Sequence, residues 1–250
     1  VRSMRHIGSG SDTIQHFRTV IHCPDRACAV FDEAVPSASG AYVSGPVWHF
    51  KAEAEKIQNA TGITVGIKVV DFAMFTVGRD DLMQPEVVRD TDLKPREAKS
   101  HVLFPDVQDM NPGESYQSAC VFLPIQRAGN FQAQPLRMEN RLTGFAFLDG
   151  ENALFFGSGH EGEATDYGPI RTDAACFFAG TVNQTVYIHF LQAKAISMIS
   201  DAMVCEIRLD GSVLPLDAWK MNNGRVEISW GSPRSGVLAI VTVAPFVPGK

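Results

Sequence analysis

The sequence predicts an all-β protein, a large antiparallel β-sandwich of about a dozen strands in two stacked sheets. Three observations predict it. Apolar residues alternate with polar ones in short runs instead of recurring at helical spacing. Gly, Pro, Asn and Asp interrupt those runs, several times as turn pairs such as Asp149-Gly150 and Asp210-Gly211. The spacing of the breaks suits strands of about 5–6 residues. With 250 residues, 45 % of them hydrophobic, the chain is large enough to bury a real core.

The first hairpin is FRTVIHC, PDR, ACAVFDE. A three-residue loop at Pro24-Asp25-Arg26 sets Val20 opposite Val30 and Arg18 opposite Asp32, one apolar pair and one ion pair. A four-residue loop would instead set Cys23 against Cys28, so register and a disulfide are one question. In GPVWHFKAEAEKI, Trp48, Phe50, Ala52 and Ala54 share one face, which predicts a single half-exposed strand. ITVGIKVVDFAMFTVG adds one or two strands, residues 78–100 read as a long polar surface loop, and SYQSACVFLPI reads as a buried strand.

Residues 126–141 read as a connection between a first part of the sandwich, 1–125, and a second, 142–250, within one continuous domain. LTGFAFLDGENALFFGSG is a hairpin turning at Asp149-Gly150. ACFFAGTVNQTVYIHFLQAKAI turns near Gly180–Asn183, VCEIRLDGSVLPL turns at Asp210-Gly211, and RVEISWGSPRSGVLAIVTV closes the set.

Composition excludes several classes. A net charge of −6 without acidic or basic blocks offers nothing to nucleic acid or to an anionic membrane. No run approaches the roughly 18 apolar residues of a membrane-spanning helix. VRSMRHIGSGSD has no apolar segment of the kind a signal peptide carries. Five cysteines at irregular spacing make neither a disulfide framework nor a zinc pattern; Cys120, Cys176 and Cys205 lie in apolar runs and read as buried, inert thiols. There is no G-x-S-x-G, no H-E-x-x-H, and no glycine-rich phosphate loop between a strand and a helix.

The chemistry-bearing stretch is GSGHEGEATDYGPIRTDAACFFAG, 157–180. His160, Glu163 and Asp166 combine an imidazole with carboxylates, donors that suit Zn²⁺ or Ca²⁺; the same residues suit acid–base work on a sugar, or a plain solvated loop. Trp48 and Tyr167 are candidate stacking surfaces for a sugar ring, with Arg171 as the cation for an anionic one. Asp173, where the apolar run begins, reads as a backbone-bonding residue. His22, Asp32 and His49 would form a two-histidine, one-carboxylate site if their strands were neighbours, and His189 inside YIHFL reads as buried.

Four segments carry a family resemblance: FRTVIHCPDRACAVFDEA, an Arg-bearing strand followed by one ending in Asp; VWHF; YQSACVFLP; and RTDAACFFAG before a hairpin. In this order they resemble the C-terminal, supersandwich-like β-sandwich of heparinase II/III-like polysaccharide lyases and related alginate-lyase folds. The resemblance implies β-elimination of a uronate-containing polysaccharide, an α-helical toroid partner, a periplasmic or extracellular setting, and no required cofactor. The family's H-x-H-type segment has no match here, so no catalytic residue is carried over. The expectation is a chain that is inactive alone, with acidic polysaccharide as its partner. The alternative is a stand-alone β-sandwich that binds carbohydrate or protein without catalysis.

Overall fold

The computed structural model describes residues 2–7, 13–23, 27–50, 54–56, 62–65, 72–77, 86–89, 100–103, 106–124, 132–138, 141–149, 152–159 and 163–243. The protein is all-β. Among the described residues there is no α-helix, and every ladder is antiparallel. The chain forms two compact units, Val1–Asn130 and Phe131–Lys250, dividing inside the segment 126–141. The second half of that segment is itself a strand, Gln132–Met138, rather than a link.

The first unit contains β1 (Arg2–Ile7), β2 (Ile14–Cys23), β3 (Ala27–Pro36), β4 (Gly40–Ser44), β5 (Val47–Phe50), β6 (Ala54–Lys56), β7 (Gly62–Val65), β8 (Phe72–Val77), β9 (Glu86–Arg89), β10 (Ser100–Leu103), β11 (Asp106–Met110) and β12 (Tyr116–Pro124). A seven-stranded sheet runs β1-β2-β3-β12-β8-β7-β6; beside it are a three-stranded sheet, β5-β10-β9, and the pair β11-β4. The β2–β3 register is the one a three-residue loop requires: Val20 opposite Val30, Arg18 opposite Asp32, Cys23 opposite Ala27. Cys28 therefore faces His22 across the ladder and is a free thiol, which excludes the Cys23–Cys28 disulfide.

The buried reading of SYQSACVFLPI has a topological cause. Strand β12 sits between β3 and β8, with Ala119, Val121 and Leu123 buried on one face and Ser118 and Cys120 on the other. Two expectations need correction. The alternation across 47–56 is divided between two strands in different sheets, β5 and β6. The polar stretch 78–100 includes a strand, β9, held by its ladder to β10; residues 78–85 and 90–99 lie outside the described residues.

The second unit contains β13 (Gln132–Met138), β14 (Arg141–Asp149), β15 (Asn152–Ser158), β16 (Thr165–Tyr167), β17 (Ile170–Thr172), β18 (Cys176–Val182), β19 (Thr185–Ile199), β20 (Val204–Leu209), β21 (Ser212–Val213), β22 (Trp219–Asn222) and β23 (Arg225–Thr242). Its eleven strands form one sheet with the path β13-β14-β15-β18-β19-β23-β20-β21. The 23 described strands exceed the expected dozen, because nine of them (β5, β6, β7, β9, β10, β16, β17, β21 and β22) are two to four residues long, where alternation gives little signal.

Turn chemistry fixes this unit's hairpins. Asp210 and Gly211 have φ of 50° and 83°, and Asn223 and Gly224 have 48° and 74°, the left-handed values that two-residue hairpin loops demand. The long strands β19 and β23 pair along most of their length, with the ladder broken between Phe190 and Ala195. The short hairpin β16–β17 docks on the far half of β19 through Ile170, Arg171 and Thr172. Phe155, Phe177, Ile188, Ile196, Leu238 and Ile240 build the core between these elements.

Two cysteine and histidine expectations fail here. Cys205 is exposed, since the fully buried position of β20 is Ile207, and Cys176 at the start of β18 is half-buried. His189 is exposed, since Ile188 and Phe190 take the inward positions of β19.

Candidate functional site

In 157–180, alternation along β16 and β17 separates the candidates. Thr165, Tyr167, Ile170 and Thr172 point inward while Asp166 and Arg171 point out. Tyr167 is fully buried, edge-on to Phe177 at 4.7 Å between ring centroids, so it is a core residue rather than a sugar-stacking surface. Arg171 donates from Nη1 to Oδ2 of Asp166 at 3.3 Å, with both side chains more than half exposed. A pair so exposed contributes about 0.2–1 kcal/mol at most.

The metal reading gains little from this geometry. Asp166 is paired with Arg171 and Glu163 is exposed, while His160 lies outside the described residues. Among the described residues, no group of three or more His, Cys, Asp or Glu is placed to hold a metal ion. Asp173 does bond backbone, as its position suggests, though not that of its own loop. Its Oδ1 accepts the N–H groups of Lys194 at 2.8 Å and Ala195 at 2.9 Å, where the β19–β23 ladder is interrupted. Those two donors would otherwise lack the partners a ladder supplies.

The first unit brings polar side chains together more tightly. Arg18 and Asp32 are ladder partners, and His16, two residues before Arg18, shares their face. Asp32 accepts from Arg18 Nε at 2.6 Å, from Arg18 Nη2 at 2.9 Å, and meets His16 Nε2 at 3.0 Å. The carboxylate is only 10 % exposed and the guanidinium 37 %. The two-pronged bond raises the Arg18 pKa above its ordinary value, outweighing partial burial. Among the described residues no hydrogen bond from Nη1 is formed, and the guanidinium keeps partial exposure.

Trp48, from the neighbouring three-stranded sheet, completes the cluster. Arg18 Cζ lies 5.4 Å from the centroid of its ring, within cation–π range. The indole stands edge-on to Phe122, at 4.8 Å between centroids, and Nε1 donates to Cys120 Sγ at 3.1 Å. Thr76 Oγ1 lies 2.8 Å from the same sulfur. Burial pushes the Cys120 thiol up to about 12, against the smaller opposing effect of the Thr76 and Trp48 bonds. It therefore stays protonated: a structural anchor for the indole, not a nucleophile.

Asp32 thus takes His16 as its imidazole partner. The expected set of His22, Asp32 and His49 does not form: His22 is opposite Cys28, and His49 is opposite His101 in a different sheet. His16 escaped the sequence reading, although a histidine two residues before the arginine on the same strand was a usable signal. A partly exposed guanidinium held in this way is chemically suited to pair with an anionic group. The chain matches no protein-family model and no curated protein.

Proposed function

We propose that this chain is the β-sandwich portion of a heparinase II/III-like polysaccharide lyase, a module that binds acidic polysaccharide in the periplasm or outside the cell. It turns substrate over only when joined to a helical toroid. One observation carries the reading. Three of the four segments that resemble the lyase sandwich meet in a single cluster: FRTVIHCPDRACAVFDEA supplies Arg18 and Asp32, VWHF supplies Trp48, and YQSACVFLP supplies Cys120. The partly exposed guanidinium of Arg18 suits a uronate carboxylate, and Trp48 lies within cation–π range of it.

The test is incubation of the chain with alginate, heparin and hyaluronan, following both binding by calorimetry and the ultraviolet absorbance of unsaturated uronate. The expected result is binding without turnover, weakened at least about tenfold in Arg18→Ala. Turnover by these residues alone would contradict the assignment of catalysis to a toroid. Binding with no helical-repeat coding sequence adjacent to this chain's would favour the stand-alone module instead.

A further inference from the structure

The Arg18–Asp32 pair carries no net charge of its own, because the guanidinium is matched by the carboxylate it grips. Selecting an anion takes a surplus of positive charge, and His16 is placed to supply it. Its Nε2 meets Asp32 Oδ1 at 3.0 Å, the same oxygen that accepts Arg18 Nε at 2.6 Å, so the imidazole lies beside the guanidinium. The histidine side chain is 21 % exposed and the carboxylate 10 %. Charges solvated this poorly are screened less than surface ones.

The bond to Asp32 also decides which ring atom titrates. A carboxylate only accepts, so Nε2 carries a proton in both charge states of the ring. The exchanging atom is Nδ1, which among the described residues makes no hydrogen bond. Protonation there adds a charge and breaks nothing. Histidine is the side chain whose charge changes between about pH 5 and 8. Directly opposite residues of a ladder share a face, which fixes the groups around it. The row of His16 holds Arg5, Ala34 and Tyr116, and the row of Arg18 holds Ser3, Asp32 and Ser118. The flanking rows are Ile7, Ile14 and Pro36 on one side and Val20, Val30, Cys120 and Thr76 on the other. Trp48 from β5 is uncharged. Arginine, tyrosine and a thiol pushed up to about 12 all keep their charge through that interval.

We infer that His16 sets the charge specificity of this site: its protonation turns the balanced Arg18–Asp32 pair into a cluster that favours an anionic ligand. Arg18 makes the contact and His16 acts through it. The inference rests on the reading of Arg18 as the anion contact, and adds the dependence of that contact on a proton. By linkage, a site that binds an anion more tightly when protonated takes up a proton when the anion binds.

The probe is alginate oligosaccharide, whose carboxylates stay ionised over this range, titrated calorimetrically at constant ionic strength from about pH 8 to about pH 5.5. Two buffers of different ionisation enthalpy report proton uptake. The parent is expected to bind about fivefold more tightly at the lower pH and to take up part of a proton per site. His16→Gln, whose amide nitrogen can keep the bond to Asp32 without titrating, is expected to give a flat profile and no uptake. His16→Lys, a permanent cation, is expected to give a flat profile at the tighter limit. Parent binding that ignores pH, or a His16→Gln protein that keeps the parent's profile and proton uptake, overturns the role of His16 and leaves the Arg18 reading intact. Parent binding that Arg18→Ala does not weaken overturns the Arg18 reading and this inference with it. Binding of neutral dextran with the same pH profile overturns the action through charge. No binding by the parent at any pH overturns both.

Discussion

Arg18 lies directly opposite Asp32 in the β2–β3 ladder and grips its carboxylate at 2.6 and 2.9 Å, so the register of one hairpin builds the polar cluster of the first unit. Removing the guanidinium leaves a carboxylate that is 10 % exposed and, among the described residues, hydrogen-bonded only to His16. Arg18→Ala is expected to cost about 2–3 kcal/mol in urea unfolding. Arg18→Lys, which cannot make the two-pronged bond, is expected to recover only part of the loss. An Arg18→Ala protein as stable as the parent would show the pair to be ornamental.

Cys120 gives a pH prediction with a definite sign. Its folded pKa of about 12 stands above the ordinary 9.0 of the unfolded thiol. The folded state therefore holds the proton more tightly. The stability linked to this group is complete below 9.0 and declines as the pH rises from there toward about 12. Replacing it by Ala or Ser should remove that component of the alkaline decline. Native protein treated with a thiol reagent at pH 8 should label Cys205, which is exposed, and leave Cys120 unlabelled until the protein unfolds.

Asp173 fastens the interrupted part of β19. Asp173→Ala strands two backbone N–H groups and is expected to cost about 2 kcal/mol, whereas Asp173→Asn keeps an accepting oxygen and costs less. Hydrogen exchange provides the local check: the Lys194 and Ala195 amides should lose protection in the alanine variant before the rest of the sheet does. Uniform protection across the sheet would assign the order of this segment to packing instead.

Gly157 leaves room for two aromatic rings. A Cβ there would run into the Phe177 and Tyr167 rings, which meet edge-on in the core. Gly157→Ala should therefore cost about 1–3 kcal/mol through overpacking. The measurement is a thermal melt, and an unchanged midpoint would mean that the Tyr167 hairpin shifts without penalty.

Much of the architecture is legible where local chemistry decides it. The three-residue loop and the pairs Val20–Val30 and Arg18–Asp32 select one register, and Asp210-Gly211 marks its own hairpin. What stays hidden depends on partners distant in sequence. VWHFKAEAEK alternates without a glycine or proline, so nothing local announces that Val47–Phe50 and Ala54–Lys56 join different sheets. EVVR between prolines is polar enough to pass for loop, and becomes a strand through backbone bonds to Ser100–Leu103. The 157–173 stretch looks like a site because its charges are adjacent in sequence, yet pleating turns Tyr167 inward and Arg171 outward. The Arg18 cluster is the reverse case: residues scattered over 16–120 meet only after three ladders and a sheet-to-sheet contact have formed.

The central claim is that the first unit presents Arg18 to the carboxylate of an acidic polysaccharide. Calorimetric titration of the parent chain and its Arg18→Ala variant with alginate oligosaccharide tests it most directly, with circular dichroism to confirm that the variant is folded. The account predicts a saturable isotherm for the parent, weakened at least about tenfold in a folded variant, the effect of losing one charge-assisted contact. Equal binding by both proteins, or none by the parent, would contradict it.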